Sequence, residues 1–448
     1  MRKLTPPQLL IFSFFCVIIL GTGLLSLPAA TVDGKALPLV DSIFTATSAT
    51  CVTGLVVRDT GTVFSPFGRW VIFALFQAGG LGIMTFSTLF AVLLGRKIGF
   101  RETDVIRSTL NRNNILGLKK LISYILCITF IAEGAGALLL FLRWKVSTDW
   151  SVLEIAEKAV FHSVSAFCNA GFSLFKNNLE GFFNDPYINL IMMVLIFLGG
   201  IGFIVVMDLL GLFVKKGPAR RISLQAKVVL TVSAALILMG AVLLMIFEKD
   251  NTMKGMALSG RGLSALFQSV TARTAGFNTL NIGTLTVPSL LSVIFLMFIG
   301  ASPGSTGGGI KTCTFAVVAA LVFGMMKNKK RVMFFGRSVP KQIIREAVVI
   351  FFLALSWIFA GTMLLVYAGG TFTKGGDVLV KALFEVVSAF GTVGLSTGIT
   401  GALSGAGKMI IAATMFAGRL GPLTLALALA FKERKDNYVY PEENIMVG

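Results

Sequence analysis

Four times along this chain of 448 residues, a short phrase with one central glycine stands between two long apolar runs. The copies are "FTATSATCVTGLVV" (44–57), "FHSVSAFCNAGFSLF" (161–175), "FQSVTARTAGFNTL" (267–280) and "FEVVSAFGTVGLSTG" (384–398). Aligning the glycines puts Gly54, Gly171, Gly276 and Gly394 level, each preceded by Ala or a β-branched residue and followed by Leu or Phe. Ser-Ala falls six and five residues before the glycine in copies one, two and four, whereas Thr271-Ala272 of copy three stands one residue nearer. A second phrase begins 22 to 26 residues after each glycine: "FQAGGLG" (76–82), "FLGGIG" (197–202), "FIGASPG" (298–304) and "FAGRLG" (416–421). The unit of apolar run, short amphipathic segment, glycine and apolar run therefore repeats four times, and the fold must give the four copies equivalent places.

The runs decide the solvent. About 20 apolar residues cross a hydrocarbon core, and eight runs reach that length, near 8–28, 68–95, 118–142, 187–214, 226–247, 287–325, 343–369 and 407–431. The 287–325 run is too long for one straight crossing and is interrupted by "GASPGSTGGG", so it reads as one broken helix. With 55% hydrophobic and 14% charged residues, the chain is an integral membrane protein.

Lys and Arg concentrate in "RKIGFRETDVIRSTLNRNNILGLKK", "KKGPARRISLQAK" and "KNKKRVMFFGRSVPKQIIR". The positive-inside rule makes these loops cytoplasmic, and Arg2, Lys3 and "KERK" put both termini on the same side. The net charge of +19 is thus accounted for without nucleic acid, although basic loops also suit anionic lipid or an acidic partner. The N-terminus imitates a signal peptide, but its apolar run is longer than a usual h-region and belongs to the first repeat, so it is expected to be retained.

A segment of about ten residues such as "LPLVDSIFTATSAT" or "VLEIAEKAVFHSVSA" is too short to cross and can only dip into the membrane as a re-entrant helix. Chain returning from it carries unpaired carbonyls, which are tolerable at that depth where they line a watery path or bind a cation. Glycine permits the positive φ that such a return needs. One such glycine alone would more readily be a packing residue; four in register favour a ring.

The stretch "GASPGSTGGGIK" (300–311) holds five Gly and one Pro and cannot stay helical, since each Gly costs about 1 kcal/mol and Pro about 3. It must be a loop inside the membrane, with Ser302, Ser305, Thr306 and Lys311 able to hold it across a path. It is not a P-loop, because Ile310 separates Gly309 from Lys311 and no strand precedes it. Arg419 lies in the last run, where insertion costs roughly 2.5–3.5 kcal/mol, so it should face water or a partner. Gly80 and Gly200 occupy its place in other repeats. Arg273, Glu385 and Glu133 suggest ion pairs that support the glycine phrases.

No chemistry of another class stands out. Cys16, Cys51, Cys127, Cys168 and Cys313 form no CxxC pair, and His162 is the lone histidine, which argues against a metal centre. Neither a Ser-His-Asp set nor paired carboxylates are visible, so the chain is not expected to be an enzyme. A lipid-phosphate enzyme using the glycine-rich loop would need acids, His or Lys clustered at one membrane face. A proton-coupled transporter would need a carboxylate relay that Glu133 alone does not supply.

These phrases resemble the Trk/Ktr/HKT superfamily of potassium transporters, most closely the membrane subunit of bacterial Ktr systems, over practically the whole chain. The resemblance implies an all-α membrane fold of four tandem membrane helix–pore loop–membrane helix repeats. Eight membrane helices and four re-entrant pore helices would surround one pore in pseudo-fourfold arrangement. The expected units are 1–98, 99–218, 219–330, 331–431 and a cytoplasmic tail, 432–448. A start directly in the first repeat favours the Ktr branch over Trk subunits, which carry an extra pair of spans.

The implied selectivity filter is Val52-Thr53-Gly54, Asn169-Ala170-Gly171, Thr274-Ala275-Gly276 and Thr392-Val393-Gly394, with K⁺ held there. Gly54, where sodium-preferring plant relatives have Ser, points to potassium. One glycine per strand, against two in TVGYG filters, leads us to expect fewer carbonyl rings and looser selectivity; a sodium-preferring or poorly selective transporter is the alternative. Gly300, Ala301, Ser302, Pro303, Gly304, Ser305, Thr306, Gly307, Gly308, Gly309 and Lys311 would form a gating loop beneath the filter, with Arg419 beside it as a barrier to cations. The resemblance also implies a cell-membrane homodimer, its contact including the C-terminal "IMVG", and a cytoplasmic ring of regulatory subunits that bind ATP or ADP. No cofactor is expected in this chain itself.

Overall fold

The computed structural model describes residues 6–82, 118–214, 222–329, 331–370, 377–422 and 424–425. Fourteen α-helices lie in them. The first repeat holds α1 (Pro6–Leu25), α2 (Leu39–Thr50) and α3 (Pro66–Gly80). The second holds α4 (Leu118–Ser147), α5 (Val152–Phe167), α6 (Pro186–Gly200) and α7 (Phe203–Val214). The third holds α8 (Leu224–Glu248), α9 (Leu258–Thr271), α10 (Val287–Phe298) and α11 (Thr312–Met326), and the fourth α12 (Lys341–Ala368), α13 (Val378–Gly391) and α14 (Gly405–Leu420). A hairpin of β1 (Met333–Phe334) and β2 (Arg337–Ser338) joins α11 to α12.

Among these, α1, α4, α8 and α12 are long and apolar enough to cross a membrane, and α6 with α7 makes a fifth crossing if the bent pair counts as one. Their outward faces carry exposed apolar side chains, among them Phe12, Phe15 and Leu20 on α1, Leu138 and Leu142 on α4, and Phe352 and Phe359 on α12. Such continuous apolar surface suits lipid rather than water.

Local sequence sets the shared pattern. α3, α6, α10 and α14 each start at a capping side chain, Ser65, Asp185, Thr286 and Ser404, which accepts from the first-turn backbone. Each long helix also carries a glycine where its repeat's short helix crosses. A methyl on Gly136 or Gly240 would press on Ser163 or Ser269, and one on Gly21 or Gly361 would meet Ala46 or Val386. Bare backbone lets the helices close in, so Ser163 Oγ donates to Glu133 O (2.6 Å) and Ser269 Oγ to Ile237 O (2.7 Å).

The repeats are arranged cyclically. α3 touches α5 of the second repeat, α6 touches α9 of the third, α10 touches α13 of the fourth, and α14 touches α2 of the first. The four short helices therefore converge, each wedged between its own repeat and the preceding one.

Two apolar runs are not straight. The 287–325 run is α10 and α11, separated by a loop, as expected. The run at 187–214, expected as a single crossing, turns by 104° between α6 and α7. Gly202, at φ +92°, stands at that bend, and a side chain there would strike Pro303 O at 2.6 Å. The basic segment 96–117, residues 215–221, the ends of the runs at 68–95 and 407–431, "KERK" and "IMVG" lie outside the described residues.

Candidate functional site

Each short helix ends just before its glycine, and the chain leaves it through left-handed backbone. Val52, Asn169, Thr274 and Thr392 have φ of 57°, 57°, 73° and 49°; Gly54, Gly171, Gly276 and Gly394 have 86°, 69°, 78° and 94°. Three of the four non-glycine residues are β-branched, for which this region costs roughly 1–2 kcal/mol each. The same strain repeated in four copies marks a built feature.

The residue between them turns its N–H back onto the helix. Thr53 N donates to Ser48 O (2.8 Å), Ala170 N to Ser165 O (2.7 Å), Val393 N to Ser388 O (2.8 Å) and Ala275 N to Thr271 O (2.9 Å). The third copy's shorter spacing is absorbed here, by a closure one residue tighter, and Thr274 and Gly276 keep their places. Ser48 Oγ and Ser165 Oγ donate to Leu55 O and Phe172 O (2.7 and 2.8 Å), and Gly394 N donates to Ser388 Oγ (3.1 Å), pinning the outgoing chain.

The four glycines meet in a closed ring. A Cβ on Gly54 would strike Ala170 O, one on Gly171 would meet Ala275 O at 2.9 Å, one on Gly276 would strike Val393 O, and one on Gly394 would strike Thr53 O. Each glycine thus faces the carbonyl of the next repeat, and the fourth faces the first. Those four carbonyls accept no hydrogen bond among the described residues. Unpaired carbonyls set around a ring are able to coordinate a desolvated monovalent cation. Beside them Asn169 and Thr274 join side chains at 3.1 Å; with its nitrogen turned toward Ile196 O and Ala166 O, Asn169 satisfies both ends of its amide.

On one side the ring opens into a vestibule of about 320 Å³ lined by all four glycines together with Asp59, Lys176, Asn178 and Glu180. Asn178 Nδ2 donates to Gly276 O (3.3 Å) and Asn278 Nδ2 to Glu180 Oε1 (2.9 Å). Burial raises the Glu180 carboxyl above the usual glutamate range, partly offset by the Asn278 hydrogen bond.

On the other side lies the glycine-rich loop. It is folded on itself: Ala301 N donates to Gly308 O (3.3 Å), Ser305 Oγ to Ser302 O (2.7 Å), Lys311 Nζ to Gly307 O (2.7 Å) and Thr312 Oγ1 to Ser302 Oγ (3.1 Å). It is also tied to its surroundings. Ser302 N and Thr306 N donate to Gly200 O and Gly199 O (3.0 and 3.2 Å), Phe203 N to Gly304 O (2.9 Å), and Gly309 N to Gly418 O (3.3 Å). Gly308 N donates to Thr392 Oγ1 (2.9 Å), and a side chain on Gly307 would strike Thr274 Oγ1. The loop therefore lies directly against two of the left-handed residues that support the ring. The Arg419 guanidinium donates to Thr306 O of the loop and to Gly79 O at the end of α3.

Gly300, Ala301, Ser302, Pro303, Gly304, Ser305, Thr306, Gly307, Gly308, Gly309, Lys311 and Arg419 are thus gathered on one side of the ring. The ion pairs expected of Arg273, Glu385 and Glu133 are replaced by neutral partners. Arg273 Nη2 donates to Gly300 O (3.4 Å), Glu385 accepts from Ser396 Oγ (3.0 Å) and Thr400 Oγ1, and Glu133 accepts from Gln77 Nε2 (3.1 and 3.2 Å). His162 is structural: Nδ1 lies 2.8 Å from Lys158 O, Nε2 3.0 Å from Ser173 Oγ, and the ring stacks on Phe175. One node had no local signal in the sequence. Asp41, buried on α2, accepts from Lys408 Nζ on α14 (2.6 Å) and Arg58 Nε (2.9 Å).

Residues 10–440 match the family model TrkH, described as a cation transport protein. The chain is 40% identical over its whole length to Ktr system potassium uptake protein B of Bacillus subtilis, covering 97% of that protein. It is 37% identical over 99% of its length to the protein of the same name from Vibrio alginolyticus, covering 95% of it. It is 36% identical over its whole length to the potassium/sodium uptake protein NtpJ of Enterococcus hirae, covering 98% of it. Its fold matches the crystal structure of the potassium transporter TrkH from Vibrio parahaemolyticus with a TM-score of 0.68 at 20% identity, over 93% of this chain and 84% of the other.

Proposed function

Since this chain belongs to the TrkH family of cation transport proteins, we propose that it carries potassium into the cell, passively and with channel-like kinetics. The single observation that carries this reading is the closed circuit in which each of Gly54, Gly171, Gly276 and Gly394 faces a free carbonyl of the next repeat. In this reading the carbonyls of Thr53, Ala170, Ala275 and Val393 replace part of the ion's hydration. The vestibule with Asp59 and Glu180 is the outer mouth. The 300–311 loop is the gate, held shut by its bonds to Thr392, Gly199, Gly200 and Arg419, whose charge adds a barrier to cations.

The proposed topology has eight crossings with α2, α5, α9 and α13 as re-entrant pore helices, both termini cytoplasmic and the vestibule outside. As in the Ktr systems named among its relatives, the chain works as a membrane subunit. We place it in a homodimer, under a nucleotide-binding ring that docks on the cytoplasmic basic loops and moves the α10–α11 break.

The test is potassium uptake in a bacterium lacking its own uptake systems, comparing the chain, Gly394→Ser and empty vector at equal membrane expression, with and without a Ktr-type regulatory subunit. Rescue at low potassium that Gly394→Ser weakens or makes sodium-permissive is expected, because the serine side chain would collide with Thr53 O. Rescue indifferent to that substitution would overturn the ring as the filter. A second reading, conduction of both potassium and sodium, is favoured by the potassium/sodium relative; reversal potentials in opposed potassium and sodium gradients separate the two.

A further inference from the structure

The hairpin between α11 and α12 has no part in the ion path described above. From 327 to 345 the sequence "KNKKRVMFFGRSVPKQIIR" carries seven basic residues and no acidic one. Lys327, Lys329, Arg331, Arg337, Lys341 and Arg345 are exposed, and none pairs with a carboxylate among the described residues. Like charge gathered this densely costs folding energy through self-repulsion and is sustained where an anion offsets it.

These side chains do not simply point at bulk water. A cleft of about 300 Å³ opens between the end of α11 and the start of α12. Lys329, Arg331, Ser338 and Lys341 supply its polar groups, and Leu321, Val332, Val339 and Ile344 its apolar wall. Val339 N donates to Val332 O (2.9 Å), which fixes the hairpin over the cleft. α12 starts there after Pro340 with no side-chain cap, so its first-turn N–H groups add to the positive field. Around the cleft a second class of side chain is exposed: Phe323, Met325 and Met326 at the end of α11, and Met333 and Phe335 on the hairpin.

Basic heads over an apolar wall, ringed by exposed Phe and Met, match a membrane interface, where a headgroup phosphate and the first carbons of its chains lie side by side. The cleft is at the level of that interface, because α12 leaves it to cross the membrane. We propose that this cleft binds the headgroup of an anionic phospholipid of the cytoplasmic leaflet, its phosphate among Lys329, Arg331 and Lys341 and its glycerol end on Val332, Val339 and Ile344. The site takes its cytoplasmic side from the proposed topology and lies on one of the basic loops proposed to meet the regulatory ring, yet it holds whether or not potassium is the ion carried.

The full chain in detergent micelles is titrated with phosphatidylglycerol or phosphatidylcholine, and bound lipid is counted by native mass spectrometry. The same titrations are run on the triple variant Lys329→Gln, Arg331→Gln, Lys341→Gln. A charge-matched control carries Lys327→Gln, Arg337→Gln and Arg345→Gln, side chains that do not line the cleft. The wild type is expected to hold phosphatidylglycerol in preference to phosphatidylcholine. At about 1 kcal/mol per basic residue, the cleft variant should bind it roughly a hundredfold more weakly, and the control within about threefold of wild type. Equal loss in both variants would mean a diffuse surface field and overturn the site, as would a wild type with no preference. Inorganic phosphate that displaces the lipid at millimolar concentration would reassign the cleft to a free anion. A cleft variant that keeps its lipid but no longer binds a regulatory subunit would assign the face to protein.

Discussion

At the scale of single residues, Arg419 and Glu180 show how charge is placed on either side of the ring. Arg419 is half-buried and grips two backbone carbonyls, one on the 300–311 loop and one on α3. Arg419→Ala removes both ties and a positive charge worth about 1 kcal/mol to a cation a few ångströms away even in a hydrated path. Potassium flux should rise about fivefold or more at equal expression, and an unchanged rate would remove Arg419 from the barrier. Glu180 works in the opposite sense. Its carboxyl is raised above the ordinary glutamate range, so the vestibule keeps this negative charge above that raised value and loses it, earlier than a free glutamate would, as external pH falls. Uptake at limiting potassium should therefore decline on mild acidification in the wild type and stay flat in Glu180→Gln over the same interval. The ring glycines were legible because a left-handed residue with a carbonyl against its Cα admits nothing else, and that constraint leaves a mark in the letters. Arg273, Glu133 and Glu385 were legible only as buried charges. Their partners are a carbonyl, an amide and hydroxyls, which hydropathy and spacing do not distinguish from solvent.

At the scale of elements, the loop at 300–311 and the ring are one mechanical unit. Among the described residues, Gly308 N finds its partner only in Thr392 Oγ1, a side chain of a residue that supports the ring. Thr392→Val keeps the β-branched shape, and Val52 at the same place in the first repeat demonstrates that valine fits there. The change leaves a buried N–H unpaired, a cost of roughly 1–3 kcal/mol borne by the closed arrangement alone. Flux without any activating partner should rise several-fold to a hundredfold; a rate equal to wild type would detach the loop from the ring. The loop's existence followed from glycine content in an apolar run. The bend between α6 and α7 did not, since 187–214 has the length and polarity of one crossing and only Gly202, at positive φ, betrays the turn. The glycines at 21, 136, 240 and 361 are a further repeat signal. They sit in helices where glycine is common, and their spacing to the phrase that follows becomes meaningful once the short helix is seen against them.

At the scale of the whole molecule, fourfold order arises from unequal sequence. The cyclic contacts of α3 with α5, α6 with α9, α10 with α13 and α14 with α2 are alike in kind, yet the last brings together residues that chain order holds farthest apart. No local pattern in the sequence pairs Asp41 with Lys408. Lys408 is largely buried, so Asp41→Ala strands a cation and should cost about 2–4 kcal/mol. That is read as a lower unfolding temperature of the purified protein, partly restored by adding Lys408→Met; no change in either variant would make the pair incidental. A pore assembled from four identical subunits has four equal joints, none of them covalent. Here three joints are bridged by the polypeptide and one is not, so this conduit resembles a split ring. The seam between first and last quadrants is held by packing alone, with the Asp41 carboxylate and the Lys408 ammonium paired across it.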